Sequence, residues 1–118
     1  MAALAAAISL LVAGAATPDP TRGRDLFATK CAGCHTLDRN KVGPPMRAVF
    51  GRAAARDAAF AYSDELKRAH LVWDENTLDK WLADPDSLVP GNDMGFRVND
   101  ATERAHIIAY LKQLAAGK

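Results

Sequence analysis

Two cysteines three positions apart, with a histidine directly behind the second, form the stretch Cys31-Ala32-Gly33-Cys34-His35. A thiol can add across a vinyl group, and one helical turn between the cysteines brings both sulfurs to one edge of a flat macrocycle. This C-x-x-C-H spacing is the attachment signature of a c-type haem, and it places His35 beneath the iron as proximal ligand. Two other chemistries use parts of the same motif. A thioredoxin-type dithiol needs a βαβ setting, and nothing upstream of Cys31 reads as a parallel strand. Structural zinc needs further ligands, but the chain holds only these two cysteines, with His70 and His106 far away and far apart in sequence. A chance match is set aside only if the remaining chain supplies a second axial ligand and a pocket.

That second ligand decides function. A haem with one protein ligand binds small molecules or does chemistry, whereas a haem with two mainly carries electrons. Met1 falls in a leader segment, Met46 stands in an apolar run with Val49 and Phe50, and Met94 stands in a loop among Asn92, Asp93 and Gly95. A lone methionine is usually a gap-filler of the core, but one in a polar loop has little packing reason to be there. Met94 is therefore the expected ligand and Met46 a wall of the pocket.

A chain of 118 residues fits one domain, small enough that a core of side chains alone would be marginal. A covalently held haem would be its largest apolar core element. Lys and Arg number 15 against 14 for Asp and Glu, so bulk charge points to neither nucleic acid nor a membrane surface. Residues 1–16 carry no charged side chain and end near Ala13-Gly14-Ala15, a small-x-small pattern suited to signal-peptide cleavage. Cleavage is the expectation, with an uncleaved anchor as the alternative, because the apolar run is shorter than the roughly 20 residues of a spanning helix. Residues 17–22 read as a linker and helix start, and 23–118 as the folded domain.

The elements that must position these groups read as helices and stiff loops. Asp19 can cap a first helix with Pro20 at its first position, and Gly23, Leu26 and Phe27 then share one face. After His35, the segment Val42-Gly43-Pro44-Pro45 fixes an extended backbone whose carbonyls could hold the second imidazole nitrogen. Ser63-Asp64 opens a short helix through Arg68. Asp74 caps a helix carrying Leu78, Trp81 and Leu82, which Asp84-Pro85 ends. Residues 84–98 lack periodicity and read as a loop. Asp100 with Glu103 resembles a capping box for the last helix, whose apolar face holds Ile107, Ile108, Leu111 and Leu114. No strand shows convincing alternation.

Taken together, the landmarks resemble class I cytochrome c of the mitochondrial and alphaproteobacterial type over about Gly23 to Leu114. They occur in order: Gly23 with Phe27, Cys31 to Thr36, Val42-Gly43-Pro44, Phe50-Gly51-Arg52, Phe60 to Asp64, Trp73, Pro90 to Met94 and Ala109 to Lys112. The resemblance implies an all-α fold of four to five helices wrapped around one haem c, with first and last helices crossing. It implies thioether links from Cys31 and Cys34, iron ligation by His35 and Met94, and a His35 ring N–H held by the Pro44 carbonyl. Arg52, Tyr62 and Trp73 match the residues that hydrogen-bond a buried propionate. Phe96 matches an aromatic covering the haem edge, and Asn92 belongs to the methionine loop. Gly23 and Phe27 would meet Tyr110.

The chain also departs from the mitochondrial pattern. Its loop from Thr36 to Val42 is shorter, with Asn40 where those proteins often bridge two loops by a histidine. Trp81 stands where a tyrosine hydroxyl usually touches the methionine sulfur, and Leu66 where an asparagine often sits. Asp86, Ser87 and Asp93 replace lysines around the methionine. The function implied is that of a monomeric, exported, periplasmic electron carrier and not an enzyme. Its implied partners are redox proteins such as a quinol:cytochrome c oxidoreductase and a terminal oxidase or reaction centre, with no nucleic acid. The competing functions are a haem peroxidase or gas-binding protein with an open iron site, and a membrane-anchored relay subunit of an oxidase or dehydrogenase.

Overall fold

A computed structural model describes residues 1–8 and 17–117; most of the expected leader's end, residues 9–16, lies outside the described residues. Five helices occur among the described residues: α1 (Pro20–Lys30), α2 (Asp64–Arg68), α3 (Glu75–Ala83), α4 (Pro85–Leu88) and α5 (Ala101–Ala116). Extended pairing among them is limited to one antiparallel bridge between Ala53 and Val72. None of these helices is long and apolar enough to cross a membrane.

Caps fix where each helix begins. Asp19 accepts a hydrogen bond from the Thr21 N–H at 2.9 Å with Pro20 at the first position, as its sequence suggests. Ser63 caps α2 through the Leu66 N–H, and Asp74 with Thr77 forms a full capping box on α3. Asp100 accepts from the Glu103 N–H at 3.0 Å, but the expected reciprocal arm of that box is missing. The Glu103 carboxylate pairs instead with Lys30 at 3.3 Å across to α1, where a cation outcompetes a neutral N–H.

The expected loop over residues 84–98 contains α4. Asp84 closes α3 and also caps the next helix, its carboxylate accepting from Ser87 Oγ at 2.9 Å, while Pro85 sits buried at the first helical position. An Asp-Pro pair thus stops one helix and starts another.

Helices α1 and α5 cross at Gly23. A Cβ there would clash with the His106 carbonyl and stand 2.8 Å from the Tyr110 Cβ, so only glycine permits this approach. Phe27 packs edge-on against Tyr110 with ring centroids 5.7 Å apart. Buried His106 ties the start of α1 to α5, its Nδ1 accepting the Asp19 backbone N–H at 2.8 Å. Arg104 joins α5 to α3 through Asp79 at 2.7 Å and also donates to the Val98 and Asn99 carbonyls. Val98 and Ile107 are fully buried, each such side chain contributing about 1.5–3 kcal/mol.

Candidate haem site

One large, mostly apolar cavity lies between α1, α3, α5 and the intervening loops. Every site residue singled out in the sequence lines it: Cys31, Cys34, His35, Pro44, Arg52, Tyr62, Trp73, Trp81, Asn92, Met94 and Phe96. Met46 also lines it, as the expected wall.

Past the end of α1 the backbone makes one more turn. The Cys34 N–H and the His35 N–H both donate to the Cys31 carbonyl, at 3.1 and 2.9 Å, which brings both thiols and the imidazole to the cavity. Burial pushes the Cys31 thiol up to about 11, against the pull of neighbouring Lys30. No disulfide joins Cys31 and Cys34.

The segment from Val42 to Pro45 holds the histidine. The His35 ring presents Nδ1 to the Pro44 carbonyl at 2.8 Å, which assigns the proton to Nδ1 and turns Nε2 into a lone-pair donor. Burial lowers the His35 pKa, only partly offset by the Pro44 contact, so the ring is neutral and fit to bind a metal. Gly43 makes this possible. A Cβ there would stand 2.6 Å from His35 Nδ1, so the imidazole lies directly on the glycine backbone.

Met94 is held at two atoms. Its backbone N–H donates to Asn92 Oδ1 at 2.7 Å, and its sulfur accepts from the Trp81 indole N–H at 3.1 Å. Asn92 is itself fixed, donating to the Val89 carbonyl at 2.9 Å and to Asp86 Oδ1 at 3.1 Å. The bracing by Asp86 comes from α4, a helix that the aperiodic sequence over residues 84–98 does not announce.

The polar wall comes from the short pairing of residues 51–54 with 71–73. Gly51 donates to the Trp73 carbonyl at 2.6 Å and Trp73 to the Arg52 carbonyl at 2.9 Å, which sets both side chains against the cavity. Arg52 Nε is buried with no hydrogen-bond partner in the protein. A guanidinium is always charged, and burying one without an anion is costly, so this atom calls for an acidic group from a ligand. The Tyr62 hydroxyl accepts the Asp57 N–H at 3.2 Å, which leaves its own proton free to donate. Burial raises the Tyr62 pKa and keeps it a phenol. The residues present therefore fit a haem: two thiols, one neutral imidazole, one thioether and a cation awaiting a carboxylate.

Departures from the mitochondrial pattern also find their places. Asn40 donates to the Ala59 carbonyl at 2.7 Å, so its amide joins the two loops. Leu66 is buried in the cavity wall.

A small all-helical fold that closes around a C-x-x-C-H turn and an apolar cavity defines a covalent mono-haem protein. The family model for cytochrome c matches residues 20–115, and the chain belongs to that family. It is 43% identical over 102 residues to cytochrome c of Chlamydomonas reinhardtii, covering 83% of this chain and 91% of the relative. Cytochrome c2 of Rhodopila globiformis is 41% identical, covering 86% of this chain and 99% of that one. Among solved structures, cytochrome cH from Methylobacterium extorquens superposes with a TM-score of 0.76 at 40% identity, over 80% of this chain and 98% of that one. The protein is a single-haem electron-transfer protein that carries haem c through Cys31 and Cys34.

Proposed function

We propose that His35 and Met94 are the two iron ligands, that Arg52, Tyr62 and Trp73 hold a propionate, and that Phe96 covers the haem edge. The observation carrying this reading is that the His35 imidazole and the Met94 thioether line the same cavity as the two thiols, each held by its own hydrogen bonds. The bound haem supplies a one-electron couple at its iron. The protein's residues do the rest: Pro44 fixes the imidazole tautomer, Asn92 and Trp81 keep the thioether in place, and the apolar walls exclude water. With His35 and Met94 both held to bind the iron, little room would be left there for a substrate, so the protein would carry electrons and not act as an enzyme.

The same reading makes it an exported periplasmic carrier whose leader over residues 1–16 is removed, leaving 23–118 as the cytochrome domain behind a linker at 17–22. Its partners are membrane redox complexes, a quinol:cytochrome c oxidoreductase as donor and a terminal oxidase or reaction centre as acceptor. Exposed Val42 and Phe96 on the cavity rim support brief docking of a monomer through an apolar spot.

Met94→Ala tests the ligand assignment. The variant should retain covalent haem, lose the near-infrared methionine-to-iron band of the ferric form, admit water or peroxide to the iron and show a lower potential. Retention of that band in the variant would show that another residue binds the iron. Loss of the band without access of peroxide would exclude the open-site enzyme as the state that Met94 suppresses.

A further inference from the structure

We propose that Asp86 on α4 and Arg97 beyond Met94 are positioning residues for the methionine, fastening the segment that carries it to α4 on either side of the sulfur and slowing its departure from the iron. This rests on the reading of Met94 as an iron ligand and adds what retains it there.

The segment is anchored at its ends and sparsely bonded between them. Val89 is buried and donates its N–H to the Pro85 carbonyl at 2.9 Å, while fully buried Val98 donates to the Leu82 carbonyl at 2.8 Å. Residues 90–97 span the gap. Within that stretch the Asn92 N–H, 3.2 Å from the Val89 carbonyl, makes the one backbone–backbone hydrogen bond among the described residues. Backbone held by so few bonds opens locally without unfolding the rest.

Side chains supply what the backbone lacks, and α4 receives them. Upstream of Met94, the Asn92 amide nitrogen donates to Asp86 Oδ1 at 3.1 Å and to the Val89 carbonyl at 2.9 Å, which turns its Oδ1 to the Met94 N–H at 2.7 Å. A flipped amide would set its oxygen against the acceptor-only carboxylate and its hydrogens against the Met94 N–H. Asp86 therefore fixes the one orientation that grips Met94. Downstream, Arg97 Nη2 lies 3.0 Å from Asp84 Oδ1. An ion pair between two exposed, freely moving side chains contributes little. Here Asp84 is already ordered, its other oxygen accepting from Ser87 Oγ at 2.9 Å at the start of α4. Buried Pro85 holds α4 against the fold, so both ties end on a fixed support.

A thioether carries no charge to draw it back to a metal. How often it leaves depends on how readily its backbone lifts away. Ties that act on the backbone govern the rate of departure, and the sulfur itself keeps its character as a ligand.

The test follows imidazole entering the ferric holoprotein, whose rate at saturating imidazole is the rate at which methionine leaves, together with NMR exchange of the Met94 amide proton. Asp86→Ala should raise the entry rate about twofold to tenfold, the range of one hydrogen bond, and speed Met94 amide exchange alongside it. Asp86→Asn keeps an acceptor oxygen and should stay near the parent. Arg97→Gln should raise the rate about twofold to fivefold at low salt. That difference should vanish at about 1 M salt, where charges are screened over about 3 Å, whereas the Asp86→Ala effect should persist. Asp38→Ala, which breaks the ion pair with Arg47 in another loop, should leave the rate unchanged. Equal rates in the parent and Asp86→Ala, equal rises in Asp86→Ala and Asp38→Ala, or an Asp86→Asn as fast as Asp86→Ala would overturn the upstream tie. An Arg97→Gln rate matching the parent at low salt would overturn the downstream one, and it remains the deciding variant should Asp86→Ala not fold. Absence of the ferric methionine-to-iron band in the parent would instead overturn the ligand reading on which both stand.

Discussion

The His35 imidazole lies 2.8 Å from the Pro44 carbonyl through Nδ1, and the residue between them on the cavity side, Gly43, has no room for a side chain. One proline carbonyl and one glycine together set the tautomer and the tilt of the ring. Gly43 is also tied to the haem-binding turn, its N–H donating to the Cys34 carbonyl at 2.8 Å.

Gly43→Ala should therefore act on the site and on stability together. The added methyl must push the imidazole or the loop aside, an overpacking cost of about 1–3 kcal/mol. A fall in the denaturant midpoint at unchanged slope, accompanied by a change in the ferric spin state, is the expected result. An unaltered spectrum and midpoint would mean the ring has room it does not display.

Gly23→Ala should destabilise the protein without touching the iron. The new Cβ meets the His106 carbonyl, which is backbone and cannot rotate away, so α1 and α5 must separate. The expected loss is about 1–3 kcal/mol in chemical unfolding, large against the stability of a small domain. The axial-ligand spectrum should stay that of the parent below the transition.

Stability should depend on pH through the α3 cap. The Asp74 carboxyl is held below its ordinary 3.8 by the Thr77 backbone N–H, so the folded state keeps its charge where the unfolded chain is already protonated. Its contribution is present above pH 3.8 and is lost as pH falls through the lower folded value. Unfolding of the parent and of Asp74→Ala, measured from pH 6 to pH 2, should give a difference that narrows only below about pH 4. A difference independent of pH would place the cap's effect elsewhere.

The docking rim should be split in sign. Lys30 is partly neutralised by Glu103, but Arg39 and Lys41 make no ion pair among the described residues, while exposed Asp86 and Asp93 flank Met94. A split face gains orientation more than long-range attraction, which salt screens over about 8 Å at physiological ionic strength. Electron transfer to a strongly acidic oxidase should thus be slow at low salt and weakly salt-dependent. Asp93→Lys, which leaves the Asp86 brace on Asn92 in place, should raise both the rate and its salt dependence. A parent that is already fast and steeply inhibited by salt would contradict the split.

Local chemistry is what the sequence states by itself. The C-x-x-C-H turn, the caps at Asp19, Ser63, Asp74 and Asp100, and the apolar faces around Phe27, Leu78 and Ile107 each depend on neighbours within a few positions, so they can be read along the chain. Of the cavity-lining set, Cys31, Cys34, His35 and Met94 were legible in the same way, whereas Arg52, Tyr62, Trp73 and Phe96 were expected only through the family resemblance. Tertiary structure decided where competing partners exist. Glu103 had a choice between its own helix start and a cation on α1, and the crossing of α1 with α5 gave it to Lys30. Asp84 could only end a helix when read along the chain, but in space its carboxylate also gathers Ser87 and begins α4. Asn92 meets the Met94 N–H only because Val89 and Asp86 occupy its other amide group, and the Trp81 indole meets sulfur only because α3 sets it there. Hydrogen-bond direction depends on which groups burial brings within about 3 Å, and sequence spacing does not contain that distance.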